Sequence, residues 1–135
     1  MRITIKKSVL IGLVSLSVSF QTLAENKKTY YPTGEVELVK EYADGKQSKR
    51  TIYDKTGKVQ EVLEYDADGK QLKLTIYYDS GVVKGIGEVV NGKISKSTVY
   101  YESGKTKRVV AAIDGKISKI TVYHKNGKIK SITEY

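Results

Sequence analysis

The sequence has 135 residues, with 24 Lys+Arg against 15 Asp+Glu for a formal charge of +9, no Cys, no Trp, one His and one Pro. That length holds one domain of ordinary size. The missing Cys excludes disulfides, thiolate metal sites, cysteine nucleophiles and a lipidated N-terminal cysteine, and a single His leaves no multi-histidine metal site.

The chain begins with what reads as an address. Residues 1–7 carry Arg2, Lys6 and Lys7 and no acid, and Ser8–Phe20 follows as a 13-residue run without a charge. This is the order of a basic and then an apolar region in a secretory signal. Gln21-Thr22-Leu23-Ala24 then puts Thr at −3 and Ala at −1 of a cleavage site between Ala24 and Glu25. The expectation is a signal peptide over 1–24, a mature domain over 25–135, and a periplasmic, cell-surface or secreted protein. An uncleaved anchor needs roughly 20 apolar residues, more than this run supplies. Cleavage removes Arg2, Lys6 and Lys7 and no acid, which leaves 21 bases against 15 acids, or +6. That charge favours anionic partners such as acidic lipid, lipopolysaccharide or an acidic protein. Nucleic acid is not an expected partner outside the cytoplasm, and lysines spread over the whole chain read first as a solvated surface.

The remainder is a repeat. Gly34, Gly45, Gly57, Gly69, Gly81, Gly92, Gly104, Gly115 and Gly127 are spaced 11, 12, 12, 12, 11, 12, 11 and 12 residues apart. Eight residues after these glycines stand Tyr42, Tyr53, Tyr65, Tyr77, Val89, Tyr100, Ala112, Tyr123 and Tyr135. Asp44-Gly45, Asp68-Gly69, Asn91-Gly92 and Asp114-Gly115 suit two-residue hairpin turns, which need two positive φ angles. Between them, sets such as Tyr31-Pro32-Thr33-Gly34 and Tyr78-Asp79-Ser80-Gly81 suit wider loops. Two units therefore make one hairpin of about 23 residues, marked by Tyr30, Tyr53, Tyr77, Tyr100 and Tyr123.

Residues between the turns alternate with a period of two, as in Leu72, Leu74 and Ile76 against Lys73, Thr75 and Tyr77, and no helical stripe is present. The predicted fold is all-β, an elongated single-layer antiparallel meander of about ten short strands, some 45 Å across at about 4.8 Å per strand. Taking Asp68-Gly69 as central turn residues sets Tyr65 opposite Leu72, Leu63 opposite Leu74 and Glu64 opposite Lys73. Taking Asp114-Gly115 likewise sets Ala112 opposite Ile117 and Val109 opposite Ile120. One face is expected to carry all the Gly+8 tyrosines with Val36, Val59, Val83, Ile94, Ile117 and Ile129. The other is expected to carry the aliphatics five residues after each glycine, such as Val39, Val62, Leu74 and Ile86. At Gly+7 on that second face, Glu41, Glu64, Glu88 and Glu134 alternate with Ile52, Ile76, Val99, Ala111 and Val122.

The stretch Tyr77-Tyr78-Asp79-Ser80-Gly81-Val82-Val83-Lys84, with its relatives beginning at Tyr30, Tyr53, Tyr100 and Tyr123, resembles the bacterial variant of MORN repeats. Such Tyr-Tyr-x-x-Gly-Lys units occur in the YwqK-type antitoxin family. The resemblance spans residues 30–135 and implies a meandering sheet of hairpins. It also implies an antitoxin or immunity-like partnership with another protein, which in an exported chain would be exercised in the periplasm.

Candidate sites are few. His124 is the one imidazole and reads as a turn residue rather than an acid–base group. Asp44, Asp68 and Asp114 read as turn residues rather than metal ligands, being one to a loop. The lysines that follow seven of the glycines lack the context of a phosphate loop and read as turn exits. No catalytic set and no cofactor-binding set is found. The ladder Tyr42, Tyr53, Tyr65, Tyr77, Tyr100, Tyr123 and Tyr135 is the one feature with binding chemistry, set against a role in packing. A transmembrane barrel is disfavoured by Lys96, Lys119 and Lys130 within short strands. The reading is a non-catalytic interaction module with a protein partner; the alternative is a peripheral module binding anionic lipid or glycan. Edge strands near 27–31 and 128–135 are expected to pair into a homodimer.

Overall fold

The computed structural model describes residues 25–135. The signal peptide expected over 1–24, with Ala24 of the expected cleavage site, lies outside the described residues, and Glu25 is the first residue of the first strand. Where the sequence alternates β-branched and polar residues between glycine turns, the chain is extended. The strands are β1 (Glu25–Tyr30), β2 (Val36–Ala43), β3 (Lys46–Tyr53), β4 (Val59–Tyr65), β5 (Gln71–Tyr77), β6 (Val83–Val90), β7 (Lys93–Tyr100), β8 (Thr106–Ile113), β9 (Lys116–Tyr123) and β10 (Ile129–Glu134). They form one open antiparallel sheet in the order of the chain, and there is no helix among the described residues. Each strand touches only its sequence neighbours, so stability is a sum of hairpins and their interfaces rather than of a central core. Among the described residues no hydrophobic side chain is buried.

The buried positions belong instead to four threonines, Thr51, Thr75, Thr98 and Thr121, each only 5–8% exposed. The register explains why. Val39, Thr51, Val62, Thr75, Ile86, Thr98, Val109, Thr121 and Ile132 stand opposite one another in a single row across nine strands. Each threonine is thus flanked by aliphatic side chains, which suits a β-branched residue on a pleated surface. On the same face, a second row reads Glu41, Lys49, Glu64, Lys73, Glu88, Lys96, Ala111, Lys119 and Glu134. Its ion pairs are Lys49–Glu41 at 3.3 Å, Lys73–Glu64 at 3.0 Å, Lys96–Glu88 at 3.2 Å and Lys119–Glu134 at 2.9 Å.

Three expectations are corrected by this register. First, the tyrosines do not share one face. Partners beyond the bulge sum to an odd number where the glycine step is 12 residues, as in Thr51 with Val62, and to an even number where it is 11, as in Val39 with Thr51, so equal offsets from successive glycines fall on opposite faces. Tyr53, Tyr77, Tyr100 and Tyr123 follow the threonine face, two residues beyond each threonine, while Tyr42 and Tyr65 follow Lys40 and Leu63 on the other face. For the same reason Glu41, Glu64, Glu88, Glu134 and Ala111 lie on the face opposite to Ile52, Ile76, Val99 and Val122.

Second, Asp68-Gly69 is not a two-residue turn. Positive φ occurs at Asp44 (52°), Asn91 (51°) and Asp114 (52°), each with its following glycine, but not at Asp68. The loop over Asp66–Gly69 instead closes with the Asp66 N–H donating to the Lys70 carbonyl at 2.9 Å and the Gly69 N–H to the Asp66 carbonyl at 2.9 Å. Tyr65 therefore meets Gln71 rather than Leu72, although Leu63 does face Leu74 and Glu64 does face Lys73. Third, every hairpin carries a β-bulge next to its turn. In β9 the extra residue is Ser118, so Ala112 faces Ile117 but Val109 faces Thr121, and Ile120 faces Val110. Ser48, Ser95 and Ser118 staple these bulges, each hydroxyl donating at 3.2 Å to the carbonyl of Glu41, Glu88 or Ala111.

Gly115 shows what the tight turns demand. Its φ is +81°, and a Cβ there would stand 3.3 Å from the Lys93 side chain, which lies over it from the preceding tight turn.

Candidate functional site

The turns 31–34, 54–57, 78–81, 101–104 and 124–127 stand along one rim of the sheet, at the ends where Tyr30, Tyr53, Tyr77, Tyr100 and Tyr123 finish their strands. All five have the same backbone. The first loop residue donates its N–H to the carbonyl four residues on, and the glycine donates to the first residue's carbonyl, all at 2.8–3.0 Å. The side chain of the first loop residue differs, and that difference makes the site.

At three turns this residue is tyrosine, and it reaches across to the neighbouring hairpin. The hydroxyl of Tyr31 donates to the Tyr53 carbonyl at 2.7 Å, that of Tyr78 to the Tyr100 carbonyl at 2.8 Å and that of Tyr101 to the Tyr123 carbonyl at 2.8 Å. A lysine ammonium lies over each ring: Lys55 at 6.0 Å from the Tyr31 centroid, Lys84 at 5.6 Å from Tyr78 and Lys107 at 5.7 Å from Tyr101. Lys84 and Lys107 are the bulged residues of β6 and β8, and the bulge aims them back at the ring. Each clasp thus ties a turn to the end of the next hairpin.

At the second turn the residue is Asp54, which is too short for that reach. It accepts from the Thr56 N–H at 2.8 Å, the Thr56 hydroxyl at 2.7 Å, the Lys58 N–H at 3.0 Å and Gln60 Nε2 at 3.2 Å. The Thr56 hydrogen bond first, and the Lys58 N–H next, hold its carboxyl below the usual aspartate range. Lys58 in turn donates from Nζ to the Asp79 carbonyl at 2.9 Å, a polar link from this turn to the next. Where the clasp would pass, the threonine face has a groove of about 560 Å³. Its lining includes Val59 and Val62 with Tyr53 and Tyr77, the Lys58–Asp79 link at one end and the Lys49–Glu41 pair at the other.

The other residues singled out in the sequence are dispersed. His124 is the first residue of the last turn and takes part through its backbone. The nine repeat glycines all have positive φ, from 75° to 103°, on two opposite rims. Tyr42 lies under Lys27, 5.1 Å from the ring centroid, on the face away from the groove, and Tyr135 is 77% exposed at the end of the chain. No group of three or more His, Cys, Asp or Glu gathers among the described residues. Of the tyrosine ladder, only Tyr53 and Tyr77 come together at the groove. Sequence reasoning passed over Tyr31, Tyr78 and Tyr101 as members of the site. The signal was available in the doublets Tyr30-Tyr31, Tyr77-Tyr78 and Tyr100-Tyr101, set against Tyr53-Asp54 and Tyr123-His124.

Residues 118–135 match the family model of the MORN repeat variant. No curated protein matches the chain. Among solved structures, the chain is similar to one in a GtfA/B complex bound to UDP and GlcNAc, with a TM-score of 0.56 and 15% identity over 97% of this chain and 28% of that chain. It is also similar to a chain in the complex of accessory secretory proteins 1, 2 and 3 of Streptococcus pneumoniae, with a TM-score of 0.52 and 15% identity over 72% of this chain and 18% of that chain. At such identity the likeness is one of fold. This chain spans less than a third of either neighbour.

Proposed function

We propose that this is an exported, non-catalytic MORN-like repeat protein that serves as a protein–protein interaction module, as an antitoxin-like or immunity-like protein or a surface interaction factor would. The observation that carries the reading is the groove beside the Asp54 turn, a partly aromatic recess lined by Tyr53, Val59 and Tyr77 in a sheet that no second layer covers among the described residues. The MORN repeat match supports a repeat scaffold, and both structural neighbours were solved in complexes of several proteins. Export rests on the basic, apolar and small-residue pattern of residues 1–24.

A second reading, a peripheral module on anionic lipid or glycan, is favoured by one observation on the other face. There Lys27, Lys40 and Arg50 stand directly opposite one another across three strands, and Arg50 Nε is buried without a hydrogen-bond partner. Like charges so placed repel and invite an anion. Cross-linking of the tagged protein in its own cells, at two salt concentrations, tests both. A single stoichiometric protein that survives high salt supports the interaction module, while recovery with lipid or glycan alone, lost as salt rises, supports the second reading.

A further inference from the structure

The groove has a shape that the molecule itself explains, because three other hairpins fill the corresponding place with a tyrosine of their own. Tyr31, Tyr78 and Tyr101 each lay a ring along the rim and donate a phenol proton to the carbonyl that ends the next hairpin's first strand. The matching carbonyl for position 54 is that of Tyr77. The extra residue in the Asp66–Gly69 loop sits on the far rim and leaves the row Ile52, Glu61, Ile76 in register. Asp54 turns its carboxylate into its own loop, and the space over Val59 between Tyr53 and Tyr77 stays open.

We propose that this groove receives a tyrosine side chain supplied by a protein partner, its phenol donating to the Tyr77 carbonyl as the internal clasps donate to Tyr53, Tyr100 and Tyr123. The inference rests on the interaction-module reading and names the chemistry that the module recognises. The ring would lie against Val59 with the tyrosines at 53 and 77 on either side, an arrangement that aromatic rings favour over an apolar floor. At about 560 Å³ the groove has the size of a ligand pocket and exceeds one phenol, so the residues flanking the partner's tyrosine are accommodated too. Lys58 and the Lys49–Glu41 pair at its two ends supply donors and an acceptor for the backbone of such a segment.

The test titrates the isotope-labelled exported protein with N-acetyl-tyrosinamide and, separately, N-acetyl-phenylalaninamide, reading backbone amide signals. The expected result is saturable shifts confined to Tyr53, Val59, Val62 and Tyr77–Gly81, with the phenylalanine probe weaker by about fivefold for want of one hydrogen bond. Asp54→Tyr should abolish these shifts by supplying the clasp from within, and Asp54→Asn should keep them. No saturable shift, equal affinity for the two probes, shifts that survive Asp54→Tyr, or saturation of the groove by an oligosaccharide in place of the phenol would each overturn the proposal. The wild-type comparison of the two probes decides it even if Asp54→Tyr does not fold. A salt-resistant protein partner still captured by Asp54→Tyr overturns the groove while sparing the interaction module. Uptake by anionic vesicles with no protein partner overturns the module itself.

Discussion

The turns at 54–57 and 78–81 close with the same pair of backbone hydrogen bonds and diverge in what their first side chain, Asp54 or Tyr78, reaches. Asp54 keeps its hydrogen bonds within six residues of itself, on Thr56, Lys58 and Gln60, whereas Tyr78 sends its single hydroxyl 22 residues on, to the carbonyl of Tyr100. In a chain with no buried apolar side chain among its described residues, coupling between neighbouring hairpins cannot come from a common core. It comes from strand ladders and from such clasps. A local cap therefore buys order in one turn and leaves the next hairpin less firmly tied, and it leaves a recess behind. The same backbone can be a joint or an opening, and one residue decides which.

If that is so, the clasped turns carry stability that the turn at Asp54 does not. Tyr78→Ala removes a half-buried ring and its hydrogen bond, and should cost about 2 kcal/mol, from roughly 1 for the ring area and roughly 1 for the bond. Chemical denaturation measures it. An effect indistinguishable from an exposed-tyrosine control such as Tyr135→Ala would show that the clasps do not couple hairpins. Tyr78→Phe isolates the hydroxyl and should cost about 1 kcal/mol, with hydrogen exchange speeding at the strand ends of β5 and β7 rather than throughout the sheet.

How far this contrast could be read from residues alone depends on the physics at each point. The glycine period revealed the hairpins because a positive φ selects glycine almost regardless of surroundings. The kind of turn was also written in the sequence, though not in the dipeptide. Gly45, Gly92 and Gly115, which close the two-residue turns, each follow the previous repeat glycine by 11 residues, whereas Gly57, Gly69, Gly81, Gly104 and Gly127 follow by 12. Ser48, Ser95 and Ser118 mark the same three hairpins, where Leu72 stands in the fourth. The assignment of faces failed because a residue and its antiparallel partner do not stand at equal offsets from their glycines: a 12-residue step pairs unlike parities, as in Thr51 with Val62, and an 11-residue step pairs like ones, as in Val39 with Thr51, so equal offsets exchange faces at every strand. Thr51, Thr75, Thr98 and Thr121 stand six residues after alternate glycines, a regularity visible in advance, but their burial follows only once the aliphatic neighbours are in register. The groove was not legible, since it arises from what Asp54 does not do across 23 residues.

Asp54→Tyr sharpens the contrast from the other side. It gives up the loop's own cap and gains a clasp to Tyr77, so its stability should rise, by less than Tyr78→Ala loses. Thermal unfolding of the variant beside the parent reads the sign. A fall in stability together with an intact fold would mean that the cap at Asp54 outweighs a clasp, and that the tyrosine turns are held chiefly by their backbone.

The smallest effect separates the two kinds of turn by acidity. Asp54 titrates below the ordinary aspartate range because its charged form accepts from Thr56 and Lys58. For a group so depressed, the stabilisation is whole above the unfolded carboxyl's value and is lost as pH falls through the lower folded value, in the region below about pH 4. The clasp at Tyr101 joins a hydroxyl to the Tyr123 carbonyl and involves no carboxyl, so it supplies no counterpart to this joint shift. A pH series of amide spectra should show Thr56 and Lys58 shifting together below about pH 4. In Asp54→Asn, which keeps an acceptor oxygen without the ionisable proton, that joint transition should vanish. If it persists there, another carboxyl governs the turn, and Asp54 is no longer the residue that closes this loop upon itself and leaves the groove open beside it.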